Sequence, residues 1–291
     1  MRLHDLSALS WSAAAAPLGS PASLAVSIIE ESGPILGAFQ RSCDDPLATF
    51  ARASGGPALS LSSGVVHVAL ALQTHDALIS CTRDQILNRY VRPLLRGLTK
   101  SGSLAHYFGR DWVSVGHRPA AFVGFAHHAG TGRTSFEALV AVNAPLWTTP
   151  RTSHSGKAPA SLSELAGKPV DSERVADAIK NAYTAAFGPL PTLASSSAAV
   201  PVTSQSPWKA TANEAIGVVC AGVDGGGHLR VGGELMVSGD AVLQLETAVS
   251  VMSSDDVIRQ AVDDALAAPG VALFGVRSLE SIAGVIARAL R

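Results

Sequence analysis

The segment Val65 to Leu72, reading VVHVALAL, constrains the fold more than any other part of the chain. It is a near-continuous apolar run after a Gly/Ser-rich loop, the pattern of a strand buried on both faces. The residues around it supply helices and further strands. Thr82-Arg-Asp-Gln85 has the form of a capping box, and Ile86, Leu87, Tyr90, Val91, Leu94 and Leu95 then repeat at helical spacing up to Gly97. Trp112–Val115, Ala121–Ala126 and Phe136–Val142 read as strands separated by turns at 116–119 and 127–134, which predicts an antiparallel meander. Asp171 is placed to cap a helix whose stripe is Val175, Ala178, Ile179, Ala182, Tyr183, Ala186 and Phe187, ending at Gly188-Pro189. Ser27–Glu31 and Ile35–Phe39 flank a Ser32-Gly33-Pro34 turn; the first is either a strand or the end of a helix begun near Pro21. This mixed order disfavours a doubly wound sheet or an α/β barrel and predicts an α+β fold.

From Pro191 to Pro207 the chain is rich in Pro and Ser without an apolar period. Such composition does not repay the entropy of ordering, so a linker is expected over 191–210, between a domain at 1–190 and a second at 211–291. In the second domain, Ile216–Cys220 and His228–Val231 bracket the Gly-rich hairpin turn Asp224–Gly227. Two helices follow, one capped by Ser253 with Asp255 and Asp256 near its positive end, the other from Leu279 to Leu290. The expectation is a small α+β module.

Composition excludes several classes of function. Lys+Arg 22 against Asp+Glu 23 leaves no global basic field for nucleic acid. No apolar run approaches the roughly 20 residues of a spanning helix, and Trp11–Ser20 is short, broken by Pro17 and preceded by Asp5, unlike a signal peptide. Cys43, Cys81 and Cys220 lie far apart, without the spacing of a disulfide framework or a zinc site. A reducing, cytoplasmic setting is expected. High Ala, Gly and Arg beside few lysines resembles the product of a GC-rich bacterial genome.

Chemistry-bearing residues concentrate after Arg52. The run Arg52-Ala-Ser-Gly-Gly-Pro-Ala-Leu-Ser-Leu-Ser-Ser-Gly64 can bring backbone N–H groups and a cation to a carboxylate or phosphate, or can be a plain turn. It resembles the RRxSGGGAVYHDxGNLNFS signature of the lipoate-protein ligases, relatives of biotin ligases and octanoyltransferases, with Arg52, Ser54, Gly55, Gly56, Ala58 and Gly64 in register. Gly37-Ala-Phe-Gln40 is similar to that family's G-x-x-Q strand end, and Phe136–Asn143 to its strand after the catalytic loop. Gly232–Asp240 and Leu245-Glu246 are similar to parts of its accessory domain.

The resemblance implies a mixed, largely antiparallel sheet flanked by helices, with a C-terminal accessory module. It also implies ATP, with Mg, as co-substrate rather than a tightly bound cofactor, a small lipoyl or related acyl substrate, and a carrier-domain protein as acceptor. No metal site, nucleic acid or membrane partner is expected. The implied substrate-binding residues are Arg52, Ser54, Gly55, Gly56, His67, Gly116, His117 and Gly124.

The departures are as informative. Ala51 stands at the first Arg of the signature, Pro57 at its third Gly, and His67 at an Asn. The family's G-R-K-I-x-G lysine, which holds the acyl carboxylate and the α-phosphate, is absent: alignment on Gly116 places Arg118 there, alignment on Gly124 places Ala121. Arg118 is the candidate catalytic cation, although a guanidinium fork does not simply replace an ammonium.

His67 reads as a hydrogen-bonded core residue or a base, and His127 and His128 as residues of a solvent-facing turn or ligand contacts. Glu137 faces the same pocket or the sheet rim. Cys81, just before a helix start, reads as an ordinary buried cysteine or as a thiol that a helix dipole would activate. Two functions follow. One is a divergent ligase attaching or transferring an acyl group to a carrier-domain lysine; the other is a non-catalytic relative that binds an acyl group or a partner protein. Arg118 beside room for ATP favours the first, and a pocket filled by Pro57, Phe122 and His67 favours the second.

Overall fold

The computed structural model describes residues 1–15, 19–146, 157–202 and 207–291. Its main sheet has six strands in the order β1-β5-β9-β8-β7-β6, every neighbouring pair antiparallel. These are β1 (Ala22–Ile28), β5 (Val66–Leu72), β6 (Ala105–Tyr107), β7 (Trp112–Val115), β8 (Arg118–His127) and β9 (Thr134–Val140). A second sheet joins β2 (Gly33–Leu36), β3 (Phe50–Ala51), β4 (Leu59–Leu61) and β10 (Val200–Pro201), with β2 and β3 parallel. The mixed, largely antiparallel architecture expected from the sequence is present. Every residue of β5 is buried, as its apolar run requires.

Strand alternation sorts the side chains of the main sheet. Ala25, Ala69 and Ala71 pack under Leu9 and Ala13 of α1 (Leu3–Ala15). Val66, Val68, Leu70 and Leu72 point the other way, into the core shared with α2 (Ile86–Lys100) and α4 (Ser172–Phe187). Asp171 caps α4 by accepting from the Glu173 N–H at 3.0 Å. The short α3 (Leu162–Ala166) precedes it.

Several local expectations are corrected. Residues 22–28 are strand, which removes the helix alternative for this segment. Thr82 makes no side-chain cap bond: Arg83–Gln85 is a tighter 3-10 turn, and the Gln85 carbonyl oxygen Oε1 accepts from Arg89 instead. Helix α2 continues past Gly97 to Lys100. Helix α1 had no periodic signal to find, because Ser and Ala dominate it and it is buried around much of its circumference.

The Pro/Ser stretch runs along the first unit as far as residue 202. Leu24 exchanges backbone bonds with Pro191 and Leu193, the N–H groups of Ser196 and Ser197 donate to Ser12 Oγ, and β10 pairs with β3.

Beyond it, β11 (Ala210–Asn213), β12 (Val218–Val223) and β13 (Leu229–Gly233) form an antiparallel sheet backed by α5 (Gly239–Ala248), α6 (Asp255–Leu266) and α7 (Leu279–Leu290). The expected Gly-rich turn joins β12 to β13. Helix α5 is additional to the two expected. The cap of α6 is Ser254, not Ser253: Ser254 has the extended backbone a cap needs and accepts from the Val257 N–H. A ribbon of β14 (Met236–Val237) and β15 (Leu273–Phe274) connects this module to the main sheet.

Candidate active site

The glycine loop lies over the sheet face that carries Phe122, Gly124, Glu137 and His67. Gly55 donates its N–H to Phe125 O at 3.2 Å, and Ala38 donates to Ser54 O at 3.1 Å, so the loop is held between β8 and the end of β2. Beneath it is a polar cluster that solvent does not reach. His67 Nε2 meets Glu137 Oε1 at 2.7 Å, and Ser54 Oγ donates a short hydrogen bond to Glu137 Oε2, which also accepts from Ser10 Oγ at 3.2 Å. Arg52 donates from Nε to Ser54 Oγ at 3.0 Å and from Nη2 to both Gly55 O at 3.2 Å and Pro57 O at 2.7 Å. Its guanidinium carbon lies 4.4 Å from the centre of the Phe122 ring. Arg52, Ser54, His67 and Phe122 are completely buried.

Charge explains why such a cluster persists in a core. Burial pushes the Glu137 carboxyl up, but the His67 hydrogen bond and charge, Arg52 and Ser54 together hold it below the ordinary glutamate value. Among the described residues His67 Nδ1 has no hydrogen-bond partner.

The loop is also packed shut from above. Gly56 donates its N–H to Leu235 O at 3.0 Å. A Cβ on Gly55 would stand 1.9 Å from that same oxygen, one on Gly56 would stand 2.8 Å from the Phe122 ring, and one on Gly124 would stand 2.6 Å from it. Gly56 has φ of 100°, a conformation open to glycine at little cost.

The sequence-predicted site residues therefore divide into two groups. Arg52, Ser54, Gly55, Gly56, His67 and Gly124 come together around Glu137. Gly116, His117 and Arg118 sit at the other end of β8, where Gly116 and His117 (φ 55° and 63°) form the two-residue turn from β7. Arg118 there bonds to Ala158 O at 3.1 Å, to Pro159 O at 2.7 Å and to the Glu164 carboxylate at 2.6 Å. Four residues of strand, about 14 Å, separate it from Phe122 under Arg52. Ala121, the other candidate for the lysine position, is buried in the sheet.

Gln40 accepts from the Gly37 N–H at 2.9 Å and lines a different cavity, of about 540 Å³, together with Trp208, Arg230 and Glu246 of the C-terminal module. His127 is buried rather than solvent-facing, with Nε2 at 2.9 Å from Gly270 O, and His128 pairs with Asp240. Cys81 donates to His75 O, and burial pushes its thiol up, which favours the ordinary-cysteine alternative over the activated thiol. Burial likewise pushes the Cys220 thiol up to about 12. Among the described residues no group of His, Cys, Asp and Glu could hold a metal ion, and no helix is long and apolar enough to cross a membrane. Ser10 was missed by sequence reasoning; only its place on α1, opposite β9, reveals it.

No protein-family model and no curated protein matches the sequence. Solved structures do match. LipL1 of P. falciparum, in complex with lipoate, superposes with a TM-score of 0.60 at 10% identity over 99% of this chain and 97% of its own. The bi-partite lipoate protein ligase of Thermoplasma acidophilum gives 0.51 at 12% identity over 66% of this chain and 84% of its own. A lipoate-protein ligase A bound with ATP gives 0.50 at 12% identity, over 64% and 81%. The chain, with its large antiparallel sheet flanked by helices, thus has the lipoate-protein ligase fold.

Proposed function

We propose that this chain is a binding protein built on the lipoate-ligase fold, and that it recognises a partner protein instead of activating an acyl group at the glycine loop. One observation carries this reading: the floor beneath the loop is occupied by the chain's own side chains. Phe122 rests against Gly56, Arg52 is engaged with Ser54, Gly55 and Pro57, and the Leu235 carbonyl caps the loop. Adenylation needs preorganised cations and N–H donors where charge develops between carboxylate and α-phosphate. Here Arg52 points its donors inward, Arg118 is paired to Glu164, and no lysine stands in either register. The residues present do not fit ATP with Mg or an acyl-adenylate.

Isothermal titration with lipoyl-AMP and a pyrophosphate-release assay with lipoate and ATP test the reading. The expected outcome is neither binding nor release, in the wild type and in Arg118→Lys and Ala121→Lys alike. Turnover by the unmodified protein would overturn it.

The competing reading is a ligase acting on a small acyl substrate and a carrier domain. What favours it is the match to the lipoate-complexed LipL1 along nearly the whole chain, C-terminal module included. It requires Leu235-Met236 to leave the loop and Arg118 to leave Glu164, and the same two assays decide it.

A further inference from the structure

From Gln85 to Arg110 the chain contains no acidic residue, although the molecule as a whole carries a net charge of -1. Within that interval α2 bears Arg89, Arg92, Arg96 and Lys100. Arg92, Arg96 and Lys100 follow one another at i, i+4 and i+8, so they line a single exposed stripe. Among the described residues none of the three has an ion-pair partner. Like charges at this spacing repel and weaken a helix. The helix dipole accounts for a cation in the last turn, at Lys100, but not for Arg92 and Arg96. The acids of neighbouring α4, Glu173 and Asp177, line a separate groove with Lys180 beside β1.

The stripe leads into an apolar opening. Just past Lys100 the loop Gly102–Leu104 enters β6, which is the edge of the main sheet. Leu104 and Phe108 are 64% and 63% exposed, and a groove of about 340 Å³ opens at Leu104, lined also by Val115, Leu162 and Leu165. His106 and His117 stand on its walls. An uncompensated row of cations beside exposed apolar side chains is complementary to an acidic protein segment with an apolar anchor.

We propose that the exposed face of α2 and the adjoining groove at β6 form a docking surface for an acidic segment of a partner protein, with an apolar side chain of that segment entering the groove. The inference deepens the binding reading above. The two fail separately, because this surface lies on the opposite side of the main sheet from the glycine loop.

The test uses the full chain and a fluorescein-labelled peptide of alternating Glu and Asp around a central Leu-Phe pair. Fluorescence anisotropy is expected to show binding at low salt that weakens as salt rises. The variant Arg92→Glu/Arg96→Glu/Lys100→Glu is expected to bind at least about tenfold more weakly. Leu104→Ala should weaken binding without changing its salt dependence. If circular dichroism shows the charge reversal to be unfolded, the corresponding triple Gln variant, which relieves the repulsion within α2, takes its place. Failure of the wild type to bind, or equal binding by the charge variant, overturns the proposal. So does tighter binding of a DNA duplex or of phosphatidylserine vesicles than of the peptide, since the stripe would then be a general polyanion site.

Discussion

Glu137 is the residue on which the buried cluster turns, since it accepts from His67, Ser54 and Ser10 and lies in the field of Arg52. Replacing one partner of a buried charged network leaves the others uncompensated, so Glu137→Gln is expected to destabilise the protein by about 3 to 5 kcal/mol in urea unfolding at neutral pH. The pH dependence has a definite sign. The folded carboxyl titrates below the ordinary value of 4.5, so its contribution is complete above that pH and declines as the pH falls toward the folded value. The gap between wild type and variant should therefore narrow below about pH 4.5, and a gap that widens there would show that the carboxylate is not the stabilised form. The sequence places Arg52, Ser54 and His67 near one another by resemblance. It leaves Glu137 between that pocket and the sheet rim, because the contact that decides crosses from one strand to another.

Among the elements, α2 shows how packing overrides propensity. Gly97 reads as a helix terminator, yet the helix passes through it, because a side chain there would meet α4: a Cβ on Gly97 stands 2.6 Å from the Ile179 Cα. Gly97→Ala should gain nearly 1 kcal/mol of helix propensity and still lower stability by about 1 to 3 kcal/mol, because the two helices must part. A variant with a raised melting temperature would refute this. At the N-terminus of α4, Asp171→Ala removes the side chain that accepts from Glu173 N–H, and a loss of about 1 kcal/mol in the same measurement is expected. Cap and stripe made α4 legible in advance. Helix α1 was illegible because its buried faces are made of Ser and Ala, whose small side chains carry little hydrophobic contrast.

For the whole molecule, the decisive feature is the seam between the main sheet and the C-terminal module. Asp240 at the start of α5 accepts from the N–H groups of Ala129 and Gly130, both at 2.9 Å, and pairs with His128. His127 reaches Gly270, and Leu235 caps Gly56. Asp240→Ala is expected to raise hydrogen exchange in the 127–133 hairpin and at Gly56, leaving the exchange of β5 unchanged. Unaltered exchange in the hairpin would mean that the Leu235 and Gly270 contacts alone hold the seam.

The sequence by itself determined the strands of the meander, the buried β5, the apolar stripe of α2, the course of α4 and α7, and the glycine-loop resemblance that pointed to this fold. Each depends on periodicity, capping or turn chemistry within a short stretch of chain. Only the tertiary structure decided that the Pro/Ser stretch lies against the first unit, that Arg118 turns to Glu164, and that Phe122 and Leu235 close on the glycines. Those outcomes depend on contacts between residues distant in sequence. Van der Waals distance and burial choose among such contacts, and neither is written into the local pattern of residues.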